Sequence, residues 1–240
     1  MRNHTMDVAR GIAFGCMLIH HAFYFSDLSQ GASRPSNIGP VVRMCGTVAR
    51  HLFIVIAGYS LAVQYQQGYQ QGPHDALTSP WRTWRRRLFR CLEVGVHAAL
   101  ISLVTYACYP GQWVRFGILH FMSVALLIAS TLMMSAHHEP LALVFILVLL
   151  GIPATGTWID VVSGANPHYA MLDWFPLASW FPWLWLGVLL GKYFPLPAMS
   201  SPKGVLSSGL SLMGRNSLML YTAHFVLFCV LSRIARERLS

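Results

Sequence analysis

The first apolar segment, from Met6 to Phe25, carries ionisable side chains of a kind that is costly within a membrane helix. His21 lies eleven residues after Arg10. Because an α-helix turns about 100° per residue, these two side chains share one face and lie about 16 Å apart along the axis. Asp7, one turn before Arg10, is placed to pair with it. We predict that this face serves catalysis, proton transfer or transport, against the alternative that His21 only hydrogen-bonds a neighbouring helix.

Other polar side chains recur at helical spacing in later apolar segments. His120 lies about five residues below the outer end of its predicted helix, at roughly the depth of His21, so the two imidazoles are placed to line one cavity. We expect His120 or, failing that, His224 to lie within about 10 Å of His21. In the last apolar segment, Ser217, Tyr221 and His224 follow one another at intervals of four and three residues. This spacing predicts a polar stripe that faces inward.

The second apolar segment is polar in its outer third, where Arg50 and His51 precede the stretch from Leu52 to Ser60. Gly58 and Ser60 are small, which favours a close approach of another helix. We predict the following lining residues for a cavity or acceptor site: Arg50, His51, Arg115, Ser217, Tyr221 and His224. The histidines are single residues on different segments, without the short spacings typical of metal sites, so we predict no metal.

These side chains must be positioned by membrane helices. The chain has 240 residues, of which 55% are hydrophobic and 10% charged, and this composition predicts an all-α, polytopic transmembrane bundle that forms one domain over residues 1–240. About seven spans are expected: Asp7–Phe25, Met44–Tyr65, Leu88–Tyr109, Phe116–Met134, Pro140–Ile152, Phe175–Phe194 and Leu210–Ile234. The net charge of +9 does not indicate nucleic-acid binding, because the basic residues lie in short segments between apolar runs.

The basic residues also predict the orientation in the membrane. Five arginines lie between Trp81 and Arg90, which places this loop and the N-terminus in the cytoplasm. With seven spans the C-terminal tail, which carries Arg233, Arg236 and Arg238, would lie outside, where positive charge is disfavoured. A missed or re-entrant segment would remove this conflict. The sequence does not indicate which oligomeric state the protein adopts.

Several motifs resemble a known family of membrane enzymes. Asp7-x-x-Arg10-Gly11 with His21, and the stretch from Phe53 to Ser60, look like the N-terminal half of the transmembrane acyltransferase group, which includes the acyltransferase-3 proteins. Later motifs resemble compact bacterial members of the heparan-alpha-glucosaminide N-acetyltransferase family: Arg115–Phe121, Asp173–Leu177 and Gly214–Leu218 with Tyr221 and His224. In acyltransferase-3 proteins the arginine and histidine of the first motif are functional, and Arg10 and His21 match them. Those proteins usually have about ten spans, more than this chain offers.

The resemblance implies transfer of an acyl group, most often acetyl from acetyl-CoA, to a sugar hydroxyl or amine on the outer side of a bacterial inner membrane. We predict His21, Asp7, Arg10 and His120 as catalytic residues, and for Arg10 and His21 the resemblance implies this role as well. Arg10 and the cluster Arg85–Arg87 would then bind coenzyme phosphates at the cytoplasmic face, although the cluster is equally explained as a topology signal. A neutral His21 would deprotonate the acceptor or carry the acyl group itself.

A different class of protein fits some of the same residues. His21, His120 and His224 would also suit a proton relay in a small proton-coupled transporter. Transporters of this kind often contain an internal repeat with paired broken helices, and the sequence shows no convincing repeat. We therefore expect an acyltransferase that acts on a glycan or small-molecule acceptor.

Overall fold

The computed structural model describes residues 4–30, 39–70, 79–165, 171–196 and 204–239, and these residues form helices and connecting segments without a β-sheet. In chain order the helices are α1 (His4–Ser29), α2 (Pro40–Gln70), α3 (Ser79–Cys108), α4 (Ile118–Leu132), α5 (His138–Leu150), α6 (Trp158–Ser163), α7 (Leu177–Tyr193), α8 (Val205–Arg215) and α9 (Ser217–Leu239). The predicted all-α fold is confirmed for this part of the chain.

Among the residues that the structure describes, four helices are long and apolar enough to cross a membrane, namely α1, α2, α3 and α9. The helices α4 and α5 are apolar but shorter, and α7 has 17 residues, the lower limit for a span. The chain is therefore an integral membrane protein. The number of about seven spans stays a prediction.

The last predicted span, Leu210–Ile234, is wrong as one continuous helix. α8 ends at Arg215, Asn216 adopts a non-helical conformation (φ −104°, ψ 17°), and α9 begins at Ser217. The Asn216 side chain donates from Nδ2 to the carbonyl of Leu212 at 3.0 Å. Such local bonding from Asn competes with helix continuation. The break separates α8 from the membrane-length helix α9.

The chain divides into two compact units. The first contains Met1–Ile56, Ile101–Trp113 and Pro197–Ser240, and the second contains Ala57–Leu100 and Val114–Leu196. The single domain expected over residues 1–240 stays a prediction.

In the first unit α1 packs against α8 and α9. Its buried face runs along the helix and includes the following residues: Met6, Asp7, Gly11, Ala13, Phe14, Met17, His21, Phe25 and Leu28. α8 approaches α1 at two glycines, because a Cβ at Gly11 would overlap the carbonyl of Leu210 and a Cβ at Gly214 would overlap the carbonyl of Asp7. Small residues allow this backbone contact, as in other membrane helix pairs.

In the second unit the C-terminal half of α2 packs against α7. A Cβ at Gly58 would overlap the carbonyl of Leu184, and one at Gly191 would lie 2.7 Å from the carbonyl oxygen of Tyr59. The predicted packing role of Gly58 is confirmed. The end of α7 is joined to α5 by an ion pair of 2.7 Å between Lys192 and Glu139.

We predict that Gly11→Ala and Gly214→Ala each destabilise the protein by about 3 kcal/mol, the upper part of the usual range for overpacking, since the atoms in the way are backbone atoms that cannot change rotamer. Thermal unfolding of the purified protein in detergent measures this loss. Gly15 on α1 and Gly209 on α8 have open space where a Cβ would lie, so Gly15→Ala and Gly209→Ala are the matched controls and should unfold at or slightly above the wild-type temperature. Equal stability of all four variants would contradict the proposed close contact.

Candidate active site

Asp7 and Arg10 form the predicted pair at the start of α1. Arg10 Nη1 donates to Asp7 Oδ1 at 3.0 Å. The Asp7 side chain is 4% exposed and that of Arg10 is 27% exposed. Because a carboxylate is costly to bury without a partner, Arg10 stabilises Asp7 in this position, and the pair keeps the guanidinium at one end of the helix.

His21 lies further along the same buried face of α1 and touches His224 of α9. Their ring atoms His21 Nδ1 and His224 Nε2 are 2.8 Å apart, a hydrogen-bond distance. Each residue is 8% exposed. His224 Nδ1 lies 2.8 Å from the carbonyl oxygen of Leu220, one turn earlier on α9. The structure therefore joins α1 to α9 through two imidazoles, and the expected contact of His21 with another histidine is found with His224.

Aromatic rings surround the two imidazoles. The His21 and His224 rings are nearly parallel, at 22° with centroids 5.1 Å apart. Phe225 meets His21 edge-on at 5.2 Å, and Phe14 meets His224 edge-on at 5.3 Å. Tyr221, which is also buried, lies with its ring 5.9 Å from that of His21. The inward orientation predicted for Tyr221 and His224 is confirmed, whereas Ser217 at the start of α9 is half-buried.

His20 has a different environment from His21. Its Nδ1 hydrogen-bonds the carbonyl oxygen of Val42 at 3.2 Å, and its ring fills the space where a side chain at Gly46 would lie. His20 is therefore a packing residue between α1 and α2.

Arg50 and His51, on α2, bond to their own helix. Arg50 Nε donates to the carbonyl of Gly46 at 3.1 Å and Nη2 to the hydroxyl of Thr47 at 3.3 Å. His51 Nδ1 hydrogen-bonds the carbonyl oxygen of Thr47 at 2.8 Å. Both residues are half-buried, and their predicted role in lining a cavity or acceptor site stays a prediction.

His120 and Arg115 belong to the second unit and are half-buried. His120 Nδ1 accepts from the backbone N–H of Gly117 at 3.3 Å. Since that nitrogen is an acceptor, Nε2 of the neutral ring carries the proton. His120 thus has its N–H donor at Nε2, and its predicted catalytic role stays a prediction.

Two carboxylates of the second unit, neither of them among the predicted site residues, accept hydrogen bonds from backbone N–H groups. Asp173 Oδ2 accepts from the backbone N–H of Ile118 at 2.9 Å, at the start of α4, where a negative charge is favoured. The Asp173–Leu177 motif thereby meets the Arg115–Phe121 motif, and Phe175 N also donates to Phe116 O.

Asp160, the second of these carboxylates, is fully buried in α6. It accepts from the backbone N–H groups of Thr155 and Gly156 at 2.8 and 2.7 Å. The hydrogen bond from Thr155 N contributes most to holding the pKa of the Asp160 carboxyl below its ordinary value, against the opposing effect of burial. The Thr-x-x-Asp spacing from Thr157 to Asp160 is typical of a helix N-terminus. This pattern could have indicated Asp160 from the sequence.

The three arginines of the cluster Arg85–Arg87 on α3 differ in burial. Arg85 and Arg86 are exposed, whereas Arg87 is 9% exposed, with its guanidinium carbon 5.3 Å from the centre of the Tyr65 ring. Arg87 Nη2 is buried and has no hydrogen-bond partner among the residues that the structure describes. A buried donor of this kind is normally satisfied by a ligand or by water.

Comparison with known families identifies the type of protein. The family model for "Heparan-alpha-glucosaminide N-acetyltransferase, catalytic" matches residues 2–226. The chain belongs to this family. The match spans α1 to the first half of α9 and includes both His21 and His224. Comparisons with curated proteins and with solved structures gave no match. The protein is therefore a membrane protein of an acetyltransferase family whose acetyl donor is acetyl-CoA.

Proposed function

We propose that the protein transfers an acetyl group from cytoplasmic acetyl-CoA to the amine of a glucosamine-type sugar presented on the other side of the membrane. The observation that carries this proposal is the buried His21, on a membrane-length helix of a chain in this family, held by His224 and lying on the same helix face as Arg10. The family's name supports an amine acceptor over a hydroxyl.

His21 supplies the chemistry in either of two routes. In the direct route the acceptor nitrogen attacks the thioester carbonyl carbon, the carbon–sulfur bond breaks, and His21 passes the proton from the amine to the departing thiolate. In the covalent route the imidazole attacks the thioester carbonyl carbon, the carbon–sulfur bond breaks, and coenzyme A leaves as a thiolate while the acetylated ring is cationic. The acceptor amine then displaces the imidazole from the acetyl group, and the proton that the amine loses protonates the thiolate. Both routes yield one thiol and one amide for each acetyl-CoA consumed.

Asp7 and Arg10 act in binding acetyl-CoA, the acetyl donor, and not at the reacting atoms. A guanidinium held in place by a buried carboxylate is suited to bidentate contact with a phosphate. The Arg10–Asp7 bond uses Nη1, and fixing this group limits the conformational entropy lost when a phosphate binds. Along α1 the distance from Arg10 to His21 is about 16 Å, which suits an extended thiol arm.

The arginine cluster of α3 is a second proposed contact for phosphate. Arg87 is its strongest member, because a buried Nη2 donor gains more from an anion than an exposed one whose contacts water screens. Arg85 and Arg86, being exposed, contribute through weaker and salt-sensitive attraction.

The remaining predicted residues keep a supporting role in this proposal. Tyr221 is proposed to line the site beside His21. His120 is proposed as a hydrogen-bond donor to the acceptor sugar, in keeping with its donor tautomer. Arg50, His51, Arg115 and Ser217 are proposed acceptor-side or lining residues.

We predict that His21→Ala lowers the rate of acetyl transfer to glucosamine by at least about 100-fold, the lower end of the range for loss of a general acid–base group. The measurement is formation of N-acetylglucosamine from acetyl-CoA by the purified protein in lipid vesicles. His137→Ala, at an exposed histidine before α5, is the matched control and should retain wild-type activity.

His20→Ala separates chemistry from packing on the same helix. It removes the neighbouring imidazole that packs on Gly46, so it should lower stability with a milder loss of activity than His21→Ala. A folded, inserted His21→Ala protein with wild-type activity would exclude His21 as base or acyl carrier.

We predict that Arg87→Gln weakens acetyl-CoA binding about tenfold or more, the effect expected for a hydrogen bond to a charged group. Arg86→Gln, at the exposed neighbour, should weaken binding less, and its effect should fade as salt is raised because exposed charges are screened. Titration of the protein with acetyl-CoA at low and high salt measures both effects. If Arg87→Gln binds acetyl-CoA with wild-type affinity, the arginine cluster does not bind the coenzyme and only sets the orientation of the protein in the membrane.

A further inference from the structure

The two imidazoles of the candidate site form a directed chain of hydrogen bonds that begins at a backbone carbonyl. The carbonyl oxygen of Leu220 lies 2.8 Å from His224 Nδ1, and His224 Nε2 lies 2.8 Å from His21 Nδ1. All three residues belong to the first unit. A carbonyl oxygen only accepts hydrogen bonds, which gives the chain its direction.

The carbonyl oxygen of Leu220 determines the tautomer of both His224 and His21. His224 Nδ1 must carry a proton, because two lone pairs facing each other at 2.8 Å would repel. A neutral imidazole has only one N–H, so His224 Nε2 is an acceptor and His21 Nδ1 must be the donor. The remaining nitrogen of His21, Nε2, therefore holds the lone pair.

The surrounding rings preserve this arrangement. A flip of either imidazole would break the chain and would have to displace Phe225 or Phe14, which meet the two histidines edge-on. Both histidines are buried, so water does not readily replace the lost bonds. An imidazole held in one tautomer by a second group is a recurring arrangement for histidines that act as bases.

We infer that His224 is a positioning residue that fixes the tautomer of His21, so that His21 Nε2 is the nitrogen that reacts with the acceptor proton or the acetyl group. The inference rests on the proposed function for the identity of the reaction. When Nε2 takes up a proton or an acetyl group, positive charge develops on the His21 ring. Its Nδ1–H bond to His224 then strengthens and stabilises that charge.

Two substitutions of His224 separate positioning from packing. His224→Gln keeps an acceptor, since its side-chain oxygen extends to about the position of the imidazole Nε2, whereas His224→Phe keeps the ring and removes the acceptor. We expect His224→Phe to lower kcat by about 100-fold or more with little change in KM for acetyl-CoA. We expect His224→Gln to recover a large part of that loss.

The matched control lies two residues away on the same helix. Thr222 is buried and also donates to a carbonyl one turn earlier, that of Leu218, at 3.1 Å. Thr222→Val removes this bond and should leave kcat within about threefold of wild type. Equal losses in His224→Phe, His224→Gln and Thr222→Val would assign His224 to packing and overturn the inference.

A spectroscopic readout tests the tautomer without reference to activity. In protein labelled with 15N at histidine, the His21 signals, assigned by their absence in His21→Ala, should show a protonated Nδ1 and an unprotonated Nε2 in the wild type. His224→Gln should preserve this pattern and His224→Phe should lose it. An unprotonated Nδ1 in the wild type would overturn the inference. If the wild-type protein shows a protonated Nδ1 and an unprotonated Nε2 at His21 but does not transfer acetyl groups, the proposed function is refuted and the inference about the tautomer stands.

Discussion

Asp7 and His21 are buried on α1 and must find their partners within the protein, because the lipid around the helix offers none. α1 meets this requirement in two ways. Asp7 is paired locally, with Arg10 one turn away, whereas His21 reaches α9 to bond His224. The second contact requires α1 to lie close to its neighbours, and the backbone contacts of α8 at Gly11 and Gly214 help to hold it there. The candidate chemistry thus depends on the packing of α1.

In the proposed function α1 has two tasks along its length. The Arg10 end carries a fixed positive charge suited to phosphate, and the His21 end carries a neutral, enclosed ring suited to proton or acyl transfer. Membership of the acetyltransferase family gives both features a use, since its donor joins a charged nucleotide to a thioester through an extended arm. A proton relay would use the histidines but would not explain the buried Nη2 donor of Arg87.

The sequence predicted features that depend on local spacing. The buried stripe of α1, the Asp7–Arg10 pair and the inward face of Tyr221 and His224 all follow from the helical period. The break at Asn216 was missed although the short polar stretch from Gly214 to Ser217 interrupts the apolar residues there. The side-chain bond to Leu212 that favours the break depends on the amide of Asn216 and cannot be read from hydropathy. The partner of His21 was left between His120 and His224, since helix packing and not helix period decides which segments meet. The burial of Arg87 among exposed arginines likewise depends on the contact with Tyr65.

The most direct test of the account is the release of coenzyme A thiol from acetyl-CoA by the purified protein in lipid vesicles, measured with and without glucosamine. An acetyltransferase should release one thiol for each N-acetylglucosamine formed. Sustained turnover should occur only when the amine is present, even if a single acetyl group is first held on the protein. Vesicles that show proton movement across the membrane and no thiol release under any of these conditions would contradict the account and support a transporter.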